Sequence, residues 1–302
     1  MTTITLTKAE VETVTRPRSV ERLIAGLPTS DGAGVKLTRV LTQELQRRLD
    51  PFLMLDAFGT DNPQDYIGGF PDHPHRGFET VTYSLAGEFE HEDSAGHRGV
   101  LRAGDVQWMT AGAGIIHSEM PSRRIREEGG RVHGFQIWIN LPARLKMARP
   151  RYQEVPAAKI PEAVTADGKA RVRIVAGEAL GAKAVIDTHT PIVYQDWSLE
   201  ELADVTVPVP ASHNALAYVF EGSAKVGEQD LREGQLAVLG AGDAVRLRGG
   251  KGRLLLLAGE PLRERVAHYG PFVMNSEDEI LQAMRDFQSG RMGEITRTAQ
   301  VQ

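Results

Sequence analysis

A chain of 302 residues with a formal net charge of −5 and no cysteine is long enough for two domains of ordinary size. The missing thiols exclude disulfides, thiolate metal sites and cysteine nucleophiles. Its mild acidity, without long blocks of one sign, argues against direct nucleic-acid binding, which calls for a basic face against the phosphates.

Residues 1–23 contain no apolar core of signal-peptide length, and no later run reaches a membrane span. With the missing cysteines this predicts a soluble protein of the cytoplasm, or also of the nucleus in a eukaryote. Further along, "GFETVTYSLAG" alternates so that Glu79, Val81, Tyr83 and Leu85 share one face. "GVLRAGDVQWMTAG" and "RVHGFQIWINL" read as further strands, and the basic "SRRIR" at 122–126 between them reads as a solvated loop. The polar, proline-flanked stretch 142–168 marks a boundary, giving domains 1–145 and 146–302. Beyond it "KARVRIVAG", "ALAYVFEG", "GQLAVLGAGDAVRL" and "GRLLLLAG" are again strands bounded by turns. Short strands following one another without helices predict an all-β chain of antiparallel sandwiches or barrels. One short helix is expected near the end. Ser276 and Glu279 form a capping-box pattern before Ile280, Leu281, Met284 and Phe287, an apolar stripe suited to the outside of a sheet.

The two halves echo each other. "SLAGEFEHEDSAGHRGVLRAGDVQWMTAGAG" is answered by "VFEGSAKVGEQDLREGQLAVLGAGDAV", and aligning Gly104 with Gly234 aligns Gly112 with Gly242 without a gap. The chain thus reads as one β-unit duplicated.

Within the first unit, "FPDHPHRGFET" places His73 and His75 one residue apart, and "GIIHSEMP" places His117 and Glu119 at the same spacing. Residues i and i+2 of a strand project from one face, so each pair reaches out together. Three imidazoles and a carboxylate suit one divalent first-row metal. Four such donors leave positions open for water, dioxygen or a chelating substrate, whereas a structural zinc is more often closed and cysteine-rich. Mixed nitrogen and oxygen ligation leans toward Fe(II), with Mn, Co, Ni, Cu and Zn open to the same donors. The bland alternative is a polar or hydrogen-bonded cluster on a sheet edge. In the second unit the matching positions are Pro208, Pro210, Leu247 and Gly249, none a donor, and His213 stands alone. Phe78, Trp108, Met109, Phe135 and Trp138 are candidates for a pocket beside the ion or for barrel core. The acidic "EFEHEDSAGHRG" is either a lip on that pocket or a solvated hairpin.

"GGFPDHPHRGFETV", "HEDSAGHRG", "GDVQWMTAGAGIIHSEMP" and "QIWINLP", with "HYGPFVMNSEDEI" near the C-terminus, resemble the signature segments of the pirin family in the cupin superfamily. The resemblance implies two cupin-type barrels, a bicupin, with one iron-type metal in the N-terminal barrel; the absence of donors in the second unit reads the C-terminal barrel as metal-free. It implies His73, His75, His117 and Glu119 as ligands. The general cupin pattern instead places its glutamate where Glu79 stands, and Gly77 between them suggests a break in the strand that would turn Glu79 to a supporting role. By the same resemblance the activity is a quercetin 2,3-dioxygenase type of flavonol cleavage. Its substrates would be a flavonol-like chelator and O2, with Glu119 as ligand and catalytic base. The alternative it implies is a metal-dependent regulatory protein acting through protein partners.

Overall fold

The computed structural model describes residues 16–297; the reading of residues 1–15 as free of a targeting segment lies outside them. Within that span the chain forms two antiparallel β-barrels of the cupin type, and no helix is long and apolar enough to cross a membrane.

The N-terminal barrel is built from two facing sheets. One runs Arg151–Val155, Val106–Thr110, Phe78–Ala86, Val132–Asn140, Phe52–Thr60, Val35–Leu41, Leu27–Asp31. The other runs Phe70–His75, Ile115–Pro121, Glu88–Asp93, Arg98–Arg102. In the C-terminal barrel the equivalent strands are long and bent. Asn214–Val226 pairs with Ala244–Gly259 over most of its length, with register shifts on both sides of Gly222, whose φ is 65°. Such shifts kink a strand so that it serves both faces of a barrel. The N-terminal barrel makes the same corner by breaking the chain at Gly87, whose φ is 93°. Gly104 and Gly234 also share a left-handed conformation, with φ of 86° and 81°, as duplication predicts.

Each barrel takes one strand from across residue 145. Val20–Ala25 pairs with Gln235–Leu239 in the C-terminal sheet, and Arg151–Val155 pairs with Val106–Thr110 in the N-terminal one. Strand alternation then assigns the faces. "LLLLA" at 254–258 sends Leu255 and Leu257 toward the other barrel and Leu254, Leu256 and Ala258 into its own core; a continuous apolar run is what a strand buried on both faces requires. Val81, Tyr83, Trp108, Phe135, Ile137 and Ile139 meet that surface from the N-terminal side. The residues between them, Thr82, Gln136 and Trp138, line a cavity instead. One barrel is therefore filled with hydrocarbon, and the other keeps a cavity whose largely apolar wall carries a few polar groups.

Two expectations change. The "SRRIR" stretch is a helical turn, Arg123–Glu128, rather than a loop. Ser122 accepts the Ile125 backbone N–H at 3.3 Å, and Ile125 is buried beneath exposed arginines. The C-terminal helix Glu277–Gln288 has its capping box, with Ser276 Oγ accepting from Glu279 N at 3.3 Å and Glu279 Oε2 from Ser276 N at 2.9 Å. Its packing face is Ile280, Ala283 and Met284, against Phe272, Met274 and Ile116, while Leu281 is 51% exposed. Positions i, i+3 and i+4 share a helix face and i+1 does not.

Candidate metal centre

Phe70–His75 and Ile115–Pro121 lie side by side, with His117 opposite His73 and Ile115 opposite His75. Directly paired residues point to the same face of a sheet, so the two strands deliver three imidazoles to one spot. The ring centroids are 4.3 Å (His73–His117), 4.7 Å (His73–His75) and 4.9 Å (His75–His117) apart. One nitrogen from each ring lies within 4.8 Å of the other two.

The protonation states suit a cation. His73 Nδ1 sits 2.7 Å from the Pro71 carbonyl oxygen. A carbonyl only accepts, so Nδ1 is a protonated nitrogen and Nε2 is the one left for a metal. Burial, and then the neighbouring histidines, push His75 and His117 well below the ordinary imidazole range, so both are neutral at pH 7. His75 Nδ1 and both nitrogens of His117 are buried without a hydrogen-bond partner among the described residues. Each orphaned buried polar atom costs about 1–3 kcal/mol, and a divalent ion shared by the three rings offsets that cost. The donor set therefore fits a first-row metal. Adding Fe(II) to metal-free protein is expected to raise the unfolding temperature, by about 2.7 kcal/mol of stability at a free concentration one hundred times Kd. His73→Ala should lose most of that gain in a thermal-shift titration; an equal gain in the variant would count against the cluster.

Glu119 is not part of the three-histidine group. The register slips between His117 and Glu119, so that Glu119 faces Phe70. Its Oε1 accepts from Thr82 Oγ1 at 2.9 Å, and its Oε2 lies 3.5 Å from Gln136 Nε2. Both partners belong to the facing sheet, so the carboxylate bridges the barrel interior.

Glu79 points elsewhere. Gly77, at a φ of 89°, ends the histidine strand, and the chain crosses into the other sheet; a Cβ there would lie 2.0 Å from the Val273 carbonyl oxygen. Glu79 then shares the face of Val81 and Tyr83, toward the second barrel. Its Oε1 accepts from Thr110 Oγ1 at 2.6 Å, and burial pushes its carboxyl up to about 6. A carboxyl raised on folding binds more protons native than unfolded, so stability falls as pH rises from the ordinary value of about 4.3 to about 6. Glu79→Gln is expected to keep its metal, to abolish that loss and to be more stable at pH 7.5, by up to roughly 2 kcal/mol. Urea unfolding of both proteins at pH 4.5 and 7.5 checks it.

His73 and His75 open on a cavity of about 500 Å³ that Glu119, Thr82, Gln136 and Trp138 also line. Of the five aromatic and apolar candidates, Trp138 lines it and Phe78 packs edge-on to His75 at 5.1 Å. Trp108 and Phe135 belong to the inter-barrel core, and Met109 packs with Ala111 and Ile115. The acidic hairpin is no solvated loop at its first strand, and it reaches the cavity through Phe89, which lines it. Glu88–Asp93 pairs with the metal strand, setting His91 opposite Glu119 and Asp93 opposite His117, and both are buried. Sequence reasoning missed Thr82, Gln136 and the wall pair Arg39–Asp56, bidentate at 2.9 and 2.7 Å. The alternation in "GFQIWIN" could have found Gln136, which shares its face with Trp138.

The topological equivalents in the second barrel differ from those aligned by sequence. Leu247 pairs with Val205 and Val245 with Val207, as His117 pairs with His73 and Ile115 with His75. The matching residues are thus Val205 and Val207 rather than Pro208 and Pro210, and with Leu247 they sit in the barrel's apolar core.

Two antiparallel barrels, one packed with hydrocarbon and one opening on a histidine cluster, define a bicupin of the cupin superfamily. Residues 34–139 match the Pirin family and residues 194–293 match the Pirin C-terminal cupin domain. The chain belongs to the pirin family. It is 47% identical over 286 residues to a Pseudomonas aeruginosa protein named "Putative quercetin 2,3-dioxygenase", covering 92% of this chain and 99% of that one. It is 43% identical over 272 residues to human Pirin, covering 87% and 90%. A crystal structure titled quercetin 2,3-dioxygenase, from Acinetobacter baumannii, superposes with a TM-score of 0.88 at 35% identity, over 93% of this chain and 100% of that one.

Proposed function

We propose that this protein is a cytoplasmic, metal-dependent dioxygenase acting on flavonols such as quercetin, with His73, His75, His117 and Glu119 holding one Fe(II). The observation that carries the reading is the three-histidine cluster, with His75 Nδ1 and both nitrogens of His117 orphaned, beside a cavity of about 500 Å³ that His73 and His75 line, a size suited to a polyphenol. The names of the bacterial relative and of the Acinetobacter structure support the substrate class. The ion would supply a Lewis-acidic point where neighbouring hydroxyl and carbonyl oxygens chelate and the hydroxyl becomes more acidic. Glu119 takes that hydroxyl proton on a carboxylate oxygen, while Thr82 and Gln136 fix its orientation. Trp138 and Phe70 wall the cavity and shield the aromatic rings from water.

The test combines metal analysis with oxygen uptake. Protein purified without oxygen and reconstituted with Fe(II) is given quercetin in an oxygen-electrode cell. About one metal per chain with uptake that disappears in His75→Ala supports the dioxygenase. Metal at that level without uptake removes it and leaves the regulatory alternative, and no metal at all removes both.

A further inference from the structure

A second hollow, of about 1200 Å³, lies at the seam of the two barrels. It shares Gln43, Gln46 and His268 with the metal cavity and otherwise has its own lining. Five arginines border it: Arg18, Arg47, Arg48, Arg263 and Arg265. Three carboxylates do so too, Glu21, Asp50 and Glu264, leaving a surplus of two positive charges.

Those carboxylates are already engaged. Glu21 receives Arg48 at 2.6 and 3.1 Å. Asp50 accepts the Arg263 backbone N–H at 2.7 Å, and Glu264 accepts from Ala143 N and Asn275 Nδ2 at 2.7 and 3.2 Å. Arg18, Arg47, Arg263 and Arg265 form no ion pair among the described residues. Arg18 is the telling one. It is 3% exposed, yet its guanidinium donates only to neutral carbonyls, those of Gly240 at 2.9 Å and Pro210 at 2.8 Å. Its Nε and the Nδ1 of His213, a second lining residue, are buried without partners among the described residues. Asp243 attracts Arg18 without pairing to it; a cation with no carboxylate paired to it is costly to bury, and a cleft with low-dielectric walls focuses such a field onto an incoming anion.

The geometry points to a binding site for a small phosphorylated molecule in this inter-barrel cleft. A phosphoryl group carries close to two negative charges at neutral pH, matching the surplus, and its oxygens accept guanidinium donors in pairs. The site is separate from the metal reading, because its test measures phosphate binding and not oxygen uptake.

Metal-loaded full-length protein is titrated calorimetrically with inorganic phosphate at pH 7.5 and low salt, alongside an Arg47→Glu/Arg265→Glu double variant. Both side chains are exposed and make no hydrogen bond or ion pair among the described residues, so folding and metal content should be unchanged. Saturable binding that weakens at least tenfold in the double variant is the expected result. Absence of saturable binding overturns the proposal, and so does phosphate binding that survives the double variant, since it would then sit at the metal. Succinate binding as tightly as phosphate overturns the phosphoryl assignment.

Discussion

Glu119→Gln is expected to retain close to one metal per chain while oxygen uptake with quercetin falls by about 10²–10⁴-fold, the usual contribution of a positioned general base. Glutamine preserves the shape and can still meet Thr82 and Gln136, which lie 2.9 and 3.5 Å from the carboxylate oxygens. It cannot take a proton at neutral pH. The three histidines converge without Glu119, so the variant separates metal retention from turnover. Full activity with full metal content would remove Glu119 from the chemistry. Metal lost along with activity would make it chiefly a ligand.

Asp286→Ala carries the second large effect. Arg76 directly follows His75, is 4% exposed, and donates to Asp286 Oδ2 at 2.8 Å and to the Ala113 carbonyl at 2.6 Å. Its backbone N–H reaches the Pro271 carbonyl at 3.2 Å, and its own carbonyl accepts from Val273 N at 3.0 Å. The C-terminal segment thus grips the end of the histidine strand, and Asp286 on the helix completes the grip. Removing one partner of a buried ion pair costs about 3–5 kcal/mol because the other charge stays buried and uncompensated; the unfolding temperature should fall by roughly 10 °C. Metal should also be stripped more readily by a chelator, since the strand carrying His73 and His75 loses its anchor. Asp286→Asn, which keeps an acceptor, should lie between. Arg76 above all holds the Asp286 carboxyl below the ordinary range. The pair's contribution is therefore full at neutral pH and disappears only as pH falls through that lowered value. A variant as stable as wild type, with unchanged metal retention, would assign the anchoring elsewhere.

Both predictions join residues that the chain keeps far apart, which separates what was legible in the sequence from what was not. His73, His75 and His117 could be picked out because a strand repeats every two residues, so paired donors stand out within three positions; Glu119 was nominated on the same spacing, but the register slip after His117 sets it apart from the three rings. The capping box at Ser276 and Glu279 was legible for the same reason, being written within one turn of helix. The all-β class and the repeat followed from turn spacing and matched glycines. The helical turn at Arg123–Glu128 was missed because its cap needs only Ser122 and its apolar content is one buried residue, Ile125.

The residues themselves were enough to nominate the donor pairs and to show which half of the chain lacks them, since both readings use only local periodicity. That Glu119 meets Thr82 and Gln136, that Glu79 turns to the other barrel, that Asp286 reaches back to Arg76, and that five arginines gather at the barrel seam all depend on how sheets register and face one another. Register shifts and strand breaks at Gly77, Gly87 and Gly222 decide those meetings. Contacts across tens to hundreds of residues follow from the packing of the whole barrel, and no local window carries them.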